Sequence, residues 1–80
     1  MMNEHNRIDI EVICESADHY TVSNVLHGLT VNVLLLSDDE WIADRCDEQT
    51  GEMRYSRSHA SFAEALGGAT EHLIETVFGS

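Results

Sequence analysis

The hydrophobic period changes once along this chain, and that change decides the fold class. Up to about residue 56 apolar residues tend to alternate with polar ones, whereas from Ser61 onward they recur every three or four positions. The first pattern belongs to strands with two unlike faces, the second to a helix with one buried stripe. Residues 8–15 put Ile8, Ile10, Val12 and Cys14 on one side and Asp9, Glu11 and Glu15 on the other, which reads as a strand with an apolar and an acidic face. Tyr20 to Leu26 is β-branched enough to favour a second strand, although its alternation is poor. After Gly28, Leu29 to Leu36 starts as an alternating strand and ends apolar on both sides. Ser37-Asp38-Asp39-Glu40 is a connection of hairpin length into Trp41–Cys46, and a loop ending at Gly51 leads to a further strand over residues 52–56.

The helix announces itself at Ser61-Phe62-Ala63-Glu64, the spacing of a capping box. In that geometry the serine hydroxyl accepts from the Glu64 amide and the Glu64 carboxylate reaches back to the Ser61 amide. Phe62, Leu66, Ala69, Leu73 and Val77 then share one stripe up to about Phe78, with Gly79 placed to end the helix. Gly67-Gly68 interrupts it, where each glycine costs about 0.8–1 kcal/mol relative to alanine. The pair is either a tolerated weak point or a place where another backbone comes close. The fold expected is α+β, an antiparallel sheet of three to five strands with one C-terminal helix packed on one face, in a single domain over 1–80. Its expected core is Ile8, Ile10, Val12, Val31, Val33, Leu35, Phe62, Leu66, Leu73 and Val77, with Ile13, Leu34 and Leu36 pointing away from the helix.

Charge then narrows the function. Fifteen Asp and Glu face four Arg and no Lys, a formal net charge of −11. Such a chain has no electropositive surface with which to neutralise phosphates, so direct nucleic-acid binding is not expected. Its partners should be basic proteins or metal ions. The longest apolar run, Val33-Leu34-Leu35-Leu36, is far short of the roughly 20 residues of a spanning helix. The first residues lack the basic flank and apolar stretch of a secretion signal, so a cytoplasmic protein is expected. Cys14 and Cys46 form no Cys-x-x-Cys pair and read as small core residues or free thiols.

Chemistry has little to stand on. His5, His19, His27, His59 and His72 match no metal-ligand spacing, and Asp38-Asp39-Glu40 lacks the alternating ligands and central glycine of a calcium loop. No nucleophile elbow, phosphate loop or dinucleotide fingerprint occurs. A non-enzyme without cofactor or metal is expected. What remains is the acidic surface itself, dispersed through strands, loops and helix. Carboxylates two apart on a strand lie about 6.6–6.8 Å apart, and those one helical turn apart about 6 Å by rise. A rigid array at that pitch fits a groove built for phosphates. The candidate partner contacts are Asp9, Glu11, Asp38, Asp39, Glu40, Asp44, Asp47, Glu48, Glu71 and Glu75.

Residues 33–78 carry a local resemblance. A strand ending in Leu34-Leu35-Leu36, the acidic turn Asp38-Asp39, the strand Glu40-Trp41-Ile42-Ala43-Asp44 and the segment Ser61-Phe62-Ala63-Glu64-Ala65-Leu66 before Glu71-His72-Leu73-Ile74 resemble the small sheet domain of HicB-type antitoxins. That resemblance implies a small basic ribonuclease toxin as partner. The sequence departs from the pattern in having no Pro-Gly-rich segment before the helix and no room after Phe78 for a DNA-binding extension. In size, acidity and layout the chain is also similar to phage-encoded anti-CRISPR and related anti-defence inhibitors. This second resemblance implies a non-enzymatic inhibitor that masks the basic nucleic-acid-binding surface of a defence ribonucleoprotein complex, as a nucleic-acid mimic. A different use, as a homodimer or subunit joined through the apolar positions of the outer sheet face, would leave the charge to solubility.

Overall fold

In the computed structural model, which describes residues 9–47 and 49–78, the chain forms five strands and one long helix. Strands β1 (Ile10–Ser16), β2 (His19–Asn24), β3 (Leu29–Ser37), β4 (Glu40–Cys46) and β5 (Met53–His59) lie side by side in chain order, each antiparallel to the next. Helix α1 (Phe62–Phe78) packs across one face, over β2 to β5. The expected α+β architecture is the one observed, at the upper end of the expected strand number. No helix among the described residues is long and apolar enough to cross a membrane.

The register explains which side chains face the helix. Directly opposed residues of an antiparallel pair share a face, and the pairs Val12↔Val22, Val22↔Val31, Val33↔Ala43 and Arg45↔Tyr55 mark the helix side across the whole sheet. Val22, Val31, Val33, Ala43, Ala65, Ala69 and Leu73 are fully buried there. Ile10, Tyr20, Leu29, Trp41, Tyr55, Phe62 and Leu66 pack around them. Tyr20, Trp41 and Phe62 form a tilted aromatic trio with ring centroids 4.6–6.3 Å apart, closing the core at the end where the helix begins. Ile13 and Leu34 lie on the opposite face, as expected, while Leu36 is exposed at a bulge between Leu35 and Ser37.

Several expectations need correction. Val12 faces the helix side yet is 46% exposed, because α1 does not extend over β1. Leu35 and Val77 are only half-buried, and Ile8 lies outside the described residues. The second strand stops at Asn24: Val25–His27 form a 3-10 turn with Val25 and Leu26 exposed, and Gly28 takes the left-handed φ of 65° that closes it. The last strand runs on to His59, because Ser58 pairs with Ile42 and its hydroxyl donates to Glu40 Oε2 at 3.0 Å. The cap is offset by one residue. Ser61 Oγ accepts from the Glu64 amide at 3.2 Å, but the Glu64 carboxylate accepts from the amide of Ala60 instead of Ser61. Gly79 lies outside the described residues. Cys14 and Cys46 are exposed free thiols and not core residues; Cys14 sits on the uncovered strand, and Cys46 points its Sγ at Met53 Sδ, 3.9 Å away.

Candidate functional site

The meander sorts the acidic residues by sheet end. The β1–β2 and β3–β4 turns and the start of α1 lie at one end, the β2–β3 and β4–β5 connections at the other, because strands alternate in direction. At the first end stand Asp18, Asp38, Asp39 and Glu40, all exposed, with Glu15 at the β1 bulge and Glu64 in the first helical turn. Leu35 N donates to the Asp18 carbonyl at 2.9 Å and so ties the two acidic turns together. Of these the sequence analysis points only to Asp38, Asp39 and Glu40; nothing in the linear order shows that Asp18 and Glu64 join them.

The described arginines are elsewhere. Arg54 bridges Asp47 at 3.3 Å and Glu52 at 3.2 Å at the far end. Arg45, close to that end of β4, donates from Nε to His72 Nε2 at 3.0 Å, and Arg57 is at mid-strand opposite Ala43. Asp47 is thus a structural residue. Its Oδ1 also accepts the amides of Gln49 and Thr50, and these bonds with the Arg54 guanidinium hold its carboxyl below the usual range. Asp44 lies half-buried on the outer face, accepting from Asn32 Nδ2 at 3.5 Å. Glu11 is exposed on β1 and Asp9 precedes that strand, while Glu48 lies outside the described residues. The proposed contacts therefore do not form one surface: Asp38, Asp39 and Glu40 cluster, Glu11 flanks the free edge, and Glu71 and Glu75 belong to a different region.

That region is a groove of about 270 Å³ between β5 and α1, lined by Tyr55, Arg57, His59, Gly68, Glu71, His72 and Glu75. The Tyr55 ring stacks on His72 with centroids 4.0 Å apart. Because His72 Nε2 accepts from Arg45, it carries no proton; burial first, and the guanidinium second, hold the imidazole below its ordinary value. Burial, with the Glu71 and Glu75 carboxylates acting against Arg57, raises the Tyr55 phenol. Both rings are uncharged at neutral pH, and the imidazole nitrogen a general base would use is already engaged. No family model, curated protein or solved structure matches the chain. Among the described residues no set of three or more His, Cys, Asp or Glu is placed to hold a metal ion. The groove reads as the seam that docks the helix. Gly68 is its key: a Cβ there would stand 2.9 Å from His59 Cε1 and 3.3 Å from Tyr55 Oη. The close approach required at the glycine pair comes from this chain's own β5 side chains, and only at the second glycine.

A pH dependence follows from His72. The folded chain holds this imidazole below its unfolded value of about 6.5. Its contribution to stability is complete above about pH 6.5 and is lost as pH falls through the lower folded value, since protonation breaks the bond from Arg45. Urea midpoints of the parent are expected to drop between pH 7.5 and 5 more steeply than those of His72→Gln. Parallel pH curves would mean that His72 does not titrate in this window.

Proposed function

We propose that this chain is a non-enzymatic masking protein that occupies a basic, nucleic-acid-handling surface of a partner protein or ribonucleoprotein in the cytoplasm, in the manner of an anti-defence inhibitor. The observation that carries the proposal is the acidic end of the sheet. Asp18, Asp38, Asp39 and Glu40 are held by two linked hairpin turns, while the described arginines are engaged or placed away from them. Carboxylates fixed by a folded scaffold spend little conformational entropy on binding, and their summed field steers association with a basic groove.

The outer sheet face supports the rival reading less well. His19 Nε2 lies 3.1 Å from Asn32 Oδ1, Asn32 continues to Asp44, and the Ser23 and Thr30 hydroxyls are 3.0 Å apart. Thr21 and His19 of β2 stand between Ile13 and the pair Leu34 and Ile42, so among the described residues no continuous apolar patch runs across the face.

The experiment is capture of partners from host lysate at low salt, elution by a salt gradient, and a nucleic-acid-binding assay of the captured partner with the chain added back. Charge reversal at Asp38→Lys, Asp39→Lys and Glu40→Lys together is expected to weaken capture at least tenfold and to leave the chain folded, the lost bond from Ser58 to Glu40 costing about 1 kcal/mol. A small basic ribonuclease as the captured partner would favour an antitoxin role. Retention of the same partner by the reversed variant, or salt-insensitive binding, would overturn masking by charge.

A further inference from the structure

We infer that β1 is a docking edge, which takes up an extended basic segment of the partner as an added antiparallel strand. The inference takes from the proposed function only that the partner is basic; it adds the place and the mode of contact.

The backbone alternation shows what the edge offers. Val25 N donates to the Asp9 carbonyl at 2.9 Å, one step beyond the Ile10↔Asn24 pair. Hydrogen-bonded and non-bonded pairs alternate along an antiparallel ladder, so Glu11 and Ile13 bond to Ser23 and Thr21. The N–H and C=O groups of Ile10, Val12 and Cys14 therefore point out of the sheet. The β2–β3 ladder gives the same answer independently. Leu35 N donates to the Asp18 carbonyl one step beyond His19↔Leu34, which commits Tyr20, Val22 and Asn24 to β3 and leaves His19, Thr21 and Ser23 for β1. Outward donors and acceptors at alternate residues are the template for strand addition.

The side chains around that template are partly open to solvent. With the helix lying over the other strands, Val12 on one face is 46% exposed and Ile13 on the other 41%. An added strand would cover both. Charge selects the occupant. A second copy pairing about Ile13, the middle of β1, would set Glu11 against Glu15 at both ends of the contact, and like charges directly opposed are destabilising. The opposite edge of another copy is a poor substitute, because Arg54 of β5 is already bridged to Asp47 and Glu52. A foreign strand with lysine or arginine opposite Glu11 and Glu15, and apolar residues opposite Ile10 and Val12, satisfies both faces at once.

The probe is a blocked, labelled seven-residue peptide alternating lysine and valine, titrated with the whole chain at low salt. Saturable binding is expected, with slowed amide hydrogen exchange at Val12 and Cys14. A peptide of equal charge alternating lysine and proline, which lacks the alternate amide hydrogens, should bind at least tenfold more weakly. Val12→Pro should cost at least tenfold as well, since its N–H faces outward and its loss removes no bond to β2. If that variant unfolds, Glu11→Lys with Glu15→Lys supplies the same test. Equal binding of the two lysine peptides, or unchanged binding by the folded variants, overturns strand addition. If binding is at the same time abolished by the Asp38, Asp39 and Glu40 reversal, masking by charge survives without it. A neutral threonine–valine peptide that binds as tightly overturns the basic partner, and peptide-independent self-association lost in Val12→Pro makes a second copy the occupant.

Discussion

Leu73→Ala is expected to destabilise the protein by about 2–5 kcal/mol, close to unfolding it at physiological temperature. Leu73 is the largest of the fully buried side chains, and its surroundings make it hard to replace. The helix meets the sheet at Ala65, Ala69 and Leu73, and the sheet answers with Val22, Val31, Val33 and Ala43. Two of the three buried helix residues are alanines, so Leu73 supplies most of the bulk that fills the layer, and its neighbours are too short and too stiff to collapse into the space. A domain of 80 residues holds about 4–12 kcal/mol in total at the usual stability per residue. The loss should appear as a fall of the urea midpoint at unchanged slope, with the melting temperature down by about 10–30 °C. Ile74, next in sequence and 39% exposed, is the control: Ile74→Ala should cost far less. Equal effects would mean that the helix docks by a different face.

The sheet-plus-helix layout and the buried Val31, Val33 and Leu73 could be read from sequence because they rest on strict periods, whereas Ala65, fully buried, falls outside the expected stripe. Val31 and Val33 alternate with Thr30, Asn32 and Leu34, so one buried face fixes the other, and consecutive short turns leave a meander as the simplest path. What the periods do not carry is how many strands one helix can cover. Strands lie about 4.8 Å apart and a helix with its side chains is about 10–12 Å across. With α1 over β3 and β4 it reaches β2 and β5, but β1 stays outside, and Val12 and Cys14 are exposed although their alternation is perfect. Val22 was missed for the converse reason: Thr21 and Ser23 flank it and the 3-10 turn follows, so the segment shows too few periods to reveal its buried member.

The candidate site was legible only in part, and for a related reason. Asp38, Asp39 and Glu40 adjoin in sequence and stay together in space. Asp18 and Glu64 reach the same sheet end through the fold, and Asp47 leaves the set because Gln49, Thr50 and Arg54 engage its carboxylate. Counting charge finds an acidic protein; only the turns decide which acids are bridged to arginine and which are gathered at the other sheet end. The same holds for the open edge. A strand's composition says nothing of whether it ends a sheet, and the outward alternation at Ile10, Val12 and Cys14 exists only once β2 has been committed to β3.

The adjacent glycines of α1 should respond to the same substitution with opposite sign. Gly67 has open space where a Cβ would stand, so Gly67→Ala is expected to stabilise by about 0.5–1 kcal/mol, the helix-propensity gain alone. At Gly68 that gain is offset by contact. The added methyl would lie 2.9 Å from His59 Cε1, 3.0 Å from His59 Nε2 and 3.3 Å from Tyr55 Oη, inside the distance at which carbon atoms attract. Relief is costly in each direction. His59 Nε2 is sealed from solvent, and Tyr55 is held by its stack on His72, which Arg45 anchors in turn. Lifting the helix instead would open the layer around Ala69 and Leu73. Gly68→Ala should therefore destabilise by about 1–3 kcal/mol, the usual cost of overpacking, and Gly68→Val by more. Urea unfolding of the two alanine variants side by side measures the difference directly. A stabilised Gly68→Ala would show that β5 and its rings yield freely to the helix, and that the groove between them is a soft seam instead of a fixed one.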